Sequence, residues 1–271
     1  MLETIKETVD FLKQRTQNFT PEVGIILGSG LGNLASQIIE SFSISYEDIP
    51  NFPVSTVKGH KGRLIFGTFS GKRVVAMQGR FHFYEGYSMK ELTFPVRVLK
   101  HLGIDLLLLS NAAGGVNPDF EVGDIMFISD HINTMPSNPL NGKNDDNVGT
   151  RFPDMSEAYD KILLEKAKKI AEKNNIPYKT GVYVGVQGPN YETPSEYKYF
   201  HIIGGDAVGM STVPEVIVAR HMNLKCFAVS IITDLGVSGK IVEISHEDVI
   251  KAANAAEPKM TIIISELLKE I

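Results

Sequence analysis

Apolar residues recur along this chain in two rhythms, and the two alternate. Leu2, Ile5, Val9 and Leu12 are spaced for one face of an opening helix, which ends before Pro21. The continuous apolar run 23–27 then reads as a buried strand. Residues 64–69 and 73–77 read as two strands joined by the turn Ser70-Gly71-Lys72. Ser88 followed by Glu91 forms a capping box and predicts a helix to about Leu102, in spite of Pro95. Strands are predicted at 104–110 and 125–129. The stretch 133–155, rich in Asn, Pro, Gly and Asp, is predicted to be a functional loop rather than a domain boundary. Beyond it the pattern gives a helix at 156–174, a strand at 181–186, a helix at 195–203, a short strand at 206–210, a helix at 213–222 and a strand at 225–232. Ser245 and Asp248 sit in capping positions before a last helix. Its Met260, Ile263, Ile264, Leu267, Leu268 and Ile271 share one face, and a kink is expected at Pro258. This alternation, with no internal repeat, predicts one α/β domain over residues 1–271.

Composition narrows the class. A chain of 271 residues can bury a sizeable core. A formal net charge of −5 leaves no basic stripe for a phosphodiester backbone, so nucleic acid is not the expected partner. The single cysteine, Cys226, lies in an apolar run and reads as an inert buried thiol. Without a disulfide framework, a reducing cytoplasm is the expected home. Residues 1–7 mix charge with apolar positions at helical spacing, unlike a signal peptide. Apolar runs such as 104–109 are too short to span a bilayer.

The chemistry gathers behind the strands. Gly28-Ser29-Gly30-Leu31-Gly32 follows the first, 78–86 the hairpin, 111–115 the strand ending at Ser110, 187–192 the strand ending at Val186, 211–215 the one ending at Met210, and 233–239 the last. Ligands of open α/β sheets lie outside the carboxyl ends of the strands, so six polar clusters there predict one shared pocket. The glycine-rich turn 28–32 lets backbone amides approach an anion, although a plain tight turn explains it equally well. It is not a dinucleotide fingerprint, because position 33 is Asn, and no Gly-Lys pair is followed by Ser or Thr as a Walker motif requires. Asn111-Ala112-Ala113-Gly114-Gly115 offers exposed backbone N–H groups in the same way. Arg80 and His82, two apart at a strand end, project to one side and reach one ligand, and the planar guanidinium suits bidentate capture of phosphate oxygens. His60 adds a further donor. Metal-ligand spacing and a Gly-x-Ser-x-Gly elbow are both lacking, which argues against a metal centre and against a serine hydrolase.

The segments GSGLG, GHKGRLIFG, QGRFHFYEGY, TFPVRV, NAAGGVNPDFEVGDIMFISDHIN, RFPDMSEAYD, GPNYET and DAVGMSTVPEVIVARH resemble, in order and spacing, the trimeric low-molecular-mass purine nucleoside phosphorylases. The resemblance runs from about Gly24 to the last helix. It implies a single α/β domain around a mixed, partly barrel-like sheet flanked by helices. It also implies a homotrimer, no metal or organic cofactor, and phosphorolysis of purine nucleosides to the free base and α-ribose 1-phosphate. Carried over by motif, Ser29, His60, Arg80, His82, the backbone N–H of Ala112 and Ser211 hold phosphate. Glu85 orients His82. Tyr84 supports the ribose, Met210 packs beneath it and His246 meets the 5′-hydroxyl. Glu192 accepts N1–H of a 6-oxopurine, with Tyr191 flanking the base, while Asn111, Ala113, Gly114, Val208 and Gly209 line the nucleoside site. Phe152 reaches the neighbouring subunit's site.

One position departs from the pattern. Many members carry Asn where this chain has Asp234, after Thr233. An ionised Asp repels O6 of a 6-oxopurine, whereas a buried neutral Asp donates as Asn does. Asp234 therefore favours a 6-aminopurine, as in methylthioadenosine phosphorylases, while Glu192 and His246 favour inosine and guanosine. The expectation follows the latter pair. A non-catalytic phosphate or nucleoside sensor on the same fold is the rival of a different class.

Overall fold

The computed structural model describes residues 1–54, 56 and 61–271, so His60 lies outside the described residues. The strands are β1 (Val23–Leu27), β2 (Ile39–Ser45), β3 (Arg63–Phe69), β4 (Lys72–Gln78), β5 (Leu106–Gly115), β6 (Ile125–Asn133), β7 (Lys179–Gly185), β8 (Ala207–Gly209) and β9 (Lys225–Leu235). The helices are α1 (Leu2–Arg15), α2 (Met89–Leu102), α3 (Lys161–Lys173), α4 (Pro194–Ile202), α5 (Val213–His221) and α6 (His246–Lys269).

Strand alternation explains why helices cover both faces of the sheet. Ile26, Leu64, Phe66, Leu107, Leu109, Met126 and Ile128 point into a core shared with α1, α2 and α5. Their immediate neighbours Ile25, Leu27, Ile65, Leu106, Leu108, Ile125 and Phe127 point the other way, toward α3 and α6. Successive side chains of a strand face opposite sides, so a continuous apolar run is what a doubly covered strand requires.

The sheet is mixed and runs β2-β3-β4-β1-β5-β8-β7-β6-β9, with β9 returning to pair with β5. Strands β5, β8, β7, β6 and β9 therefore close into a ring, and β2 to β4 with β1 extend from it as an open wing. Strand β1 lies parallel to β4 and β5, β5 is parallel to β9, and β5 is antiparallel to β8. The hairpin β3–β4 turns at Ser70 and Gly71, both at positive φ (+50° and +82°), as a two-residue connection of matching twist needs.

Several boundaries differ from the sequence reading. Strand β2 was not predicted: its exposure is mostly that of an edge, Ile39 is 75% exposed, and a bulge between Glu40 and Phe42 breaks the alternation. Helix α3 begins at Lys161 rather than 156, because the Asp160 carboxylate accepts from Leu163 N at 2.9 Å and caps it there. Helix α6 runs as one element through Pro258, its buried face of Met260, Ile263, Ile264, Leu267 and Leu268 offsetting the roughly 3 kcal/mol that an internal proline costs. Strands β5 and β9 continue through Asn111–Gly115 and Thr233–Leu235, beyond the ends that the apolar runs predict.

Candidate active site

The main pocket sits where β5 loses a neighbour. On one edge β5 pairs with β1 as far as Leu109 and with β8 only from Gly114. The backbone between them faces an opening instead of a strand. Alternation along a strand sends the polar groups of Ser110 and Ala112 to one edge and those of Asn111 and Ala113 to the other. The Ser110 carbonyl accepts from Arg80 Nη1 at 2.6 Å on the open side, so the Ala112 N–H faces the same opening. Gly28 lies against this edge: a Cβ there would stand 2.7 Å from the Ser110 carbonyl oxygen and 3.3 Å from Arg80 Nη1.

Around the opening stand Ser29, Arg80, His82, Tyr84, Asn111 to Gly114, Tyr191, Glu192, Val208 to Ser211, Thr233, Asp234 and His246. Every residue predicted for phosphate or nucleoside binding is thus brought together, apart from His60 and Phe152. Glu85 lies behind His82 rather than on the pocket wall. Phe152 is 85% exposed under the Arg151 guanidinium and lines a different hollow with His131, Asn133 and Met155.

The cationic end differs from the sequence reading in one respect. Arg80 is 1% exposed, and its Nε–Nη2 edge is already held by Glu215 on α5, at 3.1 and 2.8 Å. The fork predicted to grip phosphate bidentately is closed on a carboxylate, and Nη1 is the group directed toward Ser211 Oγ, at 3.4 Å. His82 Nδ1 lies 3.0 Å from Glu85 Oε1, which also accepts from His82 N at 2.8 Å. Burial raises the Glu85 carboxyl, yet donors from His82 and Thr56 outweigh it and bring the pKa down to about 2. Burial in turn keeps the His82 pKa below its usual value despite that carboxylate. A neutral ring with Nδ1–H donated to Glu85 follows, which gives Nε2 the acceptor role. The Tyr84 ring stacks on His82 at 4.8 Å.

Ser211 is carried on a strained turn. Thr212 sits at φ +65° and ψ −52°, and Val213 N donates to Ser211 O at 2.7 Å, a γ-turn of the rare hand that a β-branched residue seldom adopts. Such strain costs of order 1–3 kcal/mol and persists only where neighbours impose it. Here Asn111 Nδ2 donates to Thr212 Oγ1 at 2.9 Å, and Ser211 N donates to the buried Tyr183 hydroxyl at 3.3 Å.

At the opposite end two carboxylates approach the pocket. Asp234 owes its direction to a bulge: the β5–β9 register shifts between Ala113 and Gly114, leaving Thr233 as the extra residue. Thr233 Oγ1 donates to Asp234 Oδ1 at 2.9 Å, while Oδ2 lies 2.8 Å from where a Gly114 Cβ would stand. Glycine at 114 is therefore a matter of room. Burial raises the Asp234 pKa. Burial likewise pushes Glu192 up to about 7, with the Asp234 charge adding to it and the Tyr197 hydroxyl opposing it.

Glu215, Thr212, Tyr183, Thr233 and Tyr197 escaped the sequence reading. Glu215, Thr212 and Tyr183 act through residues far along the chain, Thr233 and Tyr197 through the nearby Asp234 and Glu192, and none belongs to a local pattern that would single it out. Among the described residues no group of three or more His, Cys, Asp or Glu is placed to hold a metal ion, and no helix is long and apolar enough to cross a membrane.

The sequence profile of the phosphorylase superfamily matches residues 22–269. Purine nucleoside phosphorylase 1 of Bacillus subtilis (strain 168) is 53% identical over 251 residues, covering 93% of this chain and 92% of that protein. The crystal structure of Schistosoma mansoni purine nucleoside phosphorylase in complex with adenosine superposes with a TM-score of 0.94 at 42% identity, covering 100% of this chain and 98% of that one. The same organism's enzyme in complex with inosine gives 0.93 at 41%, covering 100% and 97%. Identity of this order over nearly the full length of both partners, on a shared fold with one convergent pocket, makes the chain a member of the purine nucleoside phosphorylases.

Proposed function

We propose that the protein splits inosine and guanosine reversibly, transferring the ribosyl group from the purine to inorganic phosphate, as a step of purine salvage in the cytoplasm. The observation that carries this reading is the arrangement of anion donors at one end of a single pocket and carboxylates at the other. Ser29, Arg80 Nη1, the Ala112 N–H and Ser211 donate to phosphate, and His82 Nε2 accepts from its protonated oxygen. Several fixed donors are needed to hold a desolvated oxyanion beneath the anomeric carbon. Tyr84 and Met210 meet the ribose and His246 its 5′-hydroxyl.

The bond between C1′ and N9 breaks with its electron pair moving into the purine. A phosphate oxygen then forms the new bond to C1′ from the opposite face. Glu192 as carboxylate accepts N1–H of the 6-oxopurine, and Asp234, protonated on Oδ2, donates its one O–H to N7, where negative charge develops. Thr233 fixes which Asp234 oxygen carries that proton by donating to the other. No metal or organic cofactor is called for, phosphate being the co-substrate. Phe152, exposed to 85%, is the kind of ring that a neighbouring subunit covers, in keeping with a homotrimer in which it completes the next pocket.

Purified protein is expected to release hypoxanthine from inosine only when phosphate is added. Either of two results sinks the reading: release without phosphate, which makes the protein a hydrolase, or no release with it, which favours the non-catalytic sensor.

A second reading rests on Asp234. With the proton on Glu192 and the charge on Asp234, the same pair matches a 6-aminopurine, and the Schistosoma mansoni relative was crystallised with adenosine. Asp234→Asn removes that alternative because an amide cannot ionise. We expect the adenosine-to-inosine ratio of kcat/KM to fall at least about tenfold in the variant. An unchanged ratio means Asp234 does not govern base choice, and faster turnover of methylthioadenosine than inosine by the parent reverses the assignment.

A further inference from the structure

Between α2 and the end of α5, sharing no lining residue with the pocket above, lies a cavity of about 500 Å³ whose most buried cation pairs with no carboxylate among the described residues. Arg97, on α2, is 4% exposed. Among the described residues the one side-chain partner of its guanidinium is His221, at the end of α5, with Nη1 3.3 Å from Nδ1. Arginine has only donors, so His221 Nδ1 accepts, and Nε2–H donates to Asn144 Oδ1 at 3.2 Å. Burial first, then the Arg97 charge, hold His221 below its ordinary pKa, so the ring is neutral and leaves the Arg97 charge intact. Burial alone brings the Arg97 pKa down to about 10, with no carboxylate acting to raise it. It is still a cation at neutral pH. A buried charge is ordinarily paired, and an unpaired one is among the costlier features a fold can carry.

Lys90 and Lys143 stand at the rim of the same cavity, and neither forms an ion pair among the described residues. The rim also holds two acids, but both are turned to their own loop. Asp145 Oδ1 accepts from Asn147 N and Nδ2 at 3.2 and 3.1 Å, and Asp146 Oδ1 accepts from Asn144 Nδ2 at 2.7 Å. Neither bridges to the cations beside it.

We propose that the cavity between α2, α5 and the 139–148 loop is a second anion site, in which Arg97, backed by Lys90 and Lys143, binds a compact oxyanion of the phosphate class. A planar guanidinium at the bottom and two ammonium groups at the mouth suit an ion that presents oxygens in several directions. His221 and Asn144 hold the guanidinium plane so that it faces the cavity.

The test is a selenate soak of crystals of the full chain, read by anomalous scattering, with calorimetric titration of inorganic phosphate in solution. The expected result is two selenate peaks per chain, one in the Ser29, Arg80 and His82 cradle and one within hydrogen-bond distance of the Arg97 guanidinium. Phosphate should titrate two sites. In the Lys90→Gln/Lys143→Gln double variant, whose positions are exposed and safe for folding, the second site should weaken about fivefold while the first keeps its affinity. A filled cradle with no peak at Arg97 overturns the proposal. So does a single phosphate per chain, or a carboxylate of another copy seated on Arg97, which would make the cavity an interface. The cradle peak reads the active site separately, so the two inferences fail independently.

Discussion

Glu215→Gln is expected to cost the protein about 3 kcal/mol of stability and to raise KM for phosphate about tenfold, with a smaller change in kcat. Arg80 and Glu215 are 1% and 3% exposed and share two hydrogen bonds, so the substitution leaves a buried guanidinium facing a neutral amide. Removing one member of such a pair costs more than the pair itself contributes, because the remaining charge stays desolvated. A loss of this size lowers Tm by roughly 5 °C in a chain of this length. The kinetic part tests the positioning role. Glutamine keeps the volume but not the charge that fixes the guanidinium plane, and Nη1 then swings relative to Ser211 and the β5 edge. A purely structural carboxylate would lower Tm and the active fraction while leaving KM for phosphate where it was, and that outcome removes Glu215 from the account of phosphate binding.

Glu192→Ala should reduce kcat/KM for inosine by about 10²–10³, equivalent to about 3–4 kcal/mol, with phosphate affinity unchanged. Sites built around a polar group on the substrate lose most when their own half of the hydrogen bond disappears. The sign of the pH dependence follows from the raised pKa. Below about 7 the Glu192 carboxyl is protonated and accepts N1–H only as a neutral, weaker acceptor, whereas above it the charged carboxylate is available. Parent kcat/KM for inosine should therefore climb through about pH 7, and Glu192→Gln should lose that limb. The same raised pKa makes the ionised form a burden to the folded state, so its contribution to stability is present at low pH and lost as pH rises through about 7. Inosine turnover within threefold of the parent in Glu192→Ala would detach this residue from base recognition.

The core was legible because doubly covered strands are unbroken apolar runs, as in 23–27 and 106–109. Capping residues at Ser88 and Ser245 fixed helix starts for the same reason: the first turn needs acceptors, and those side chains are acceptors. The pocket's inventory was legible through motifs that stand behind the strands. Its wiring was not. Asn111–Gly115 has a composition unfavourable to strands, and pairing with β9 overrides it. The bulge at Thr233 that turns Asp234 inward depends on the register of two strands over 100 positions apart. The Arg80–Glu215 pair joins residues 135 positions apart, which no local spacing reveals. Reading Arg80 as a bidentate phosphate clamp failed for that reason: the partner that occupies the fork lies on α5.

The unpaired stretch of β5 separates what this enzyme can change from what it cannot. A donor that belongs to the main chain survives any replacement of its side chain except proline, which deletes the hydrogen. On the proposed reading, one donor to the nucleophile, the Ala112 N–H, is thus anchored in the polymer itself, while every other contact to phosphate and to the base belongs to a replaceable side chain. Divergence within such a scaffold would keep that one main-chain contact whatever the side chains around it became.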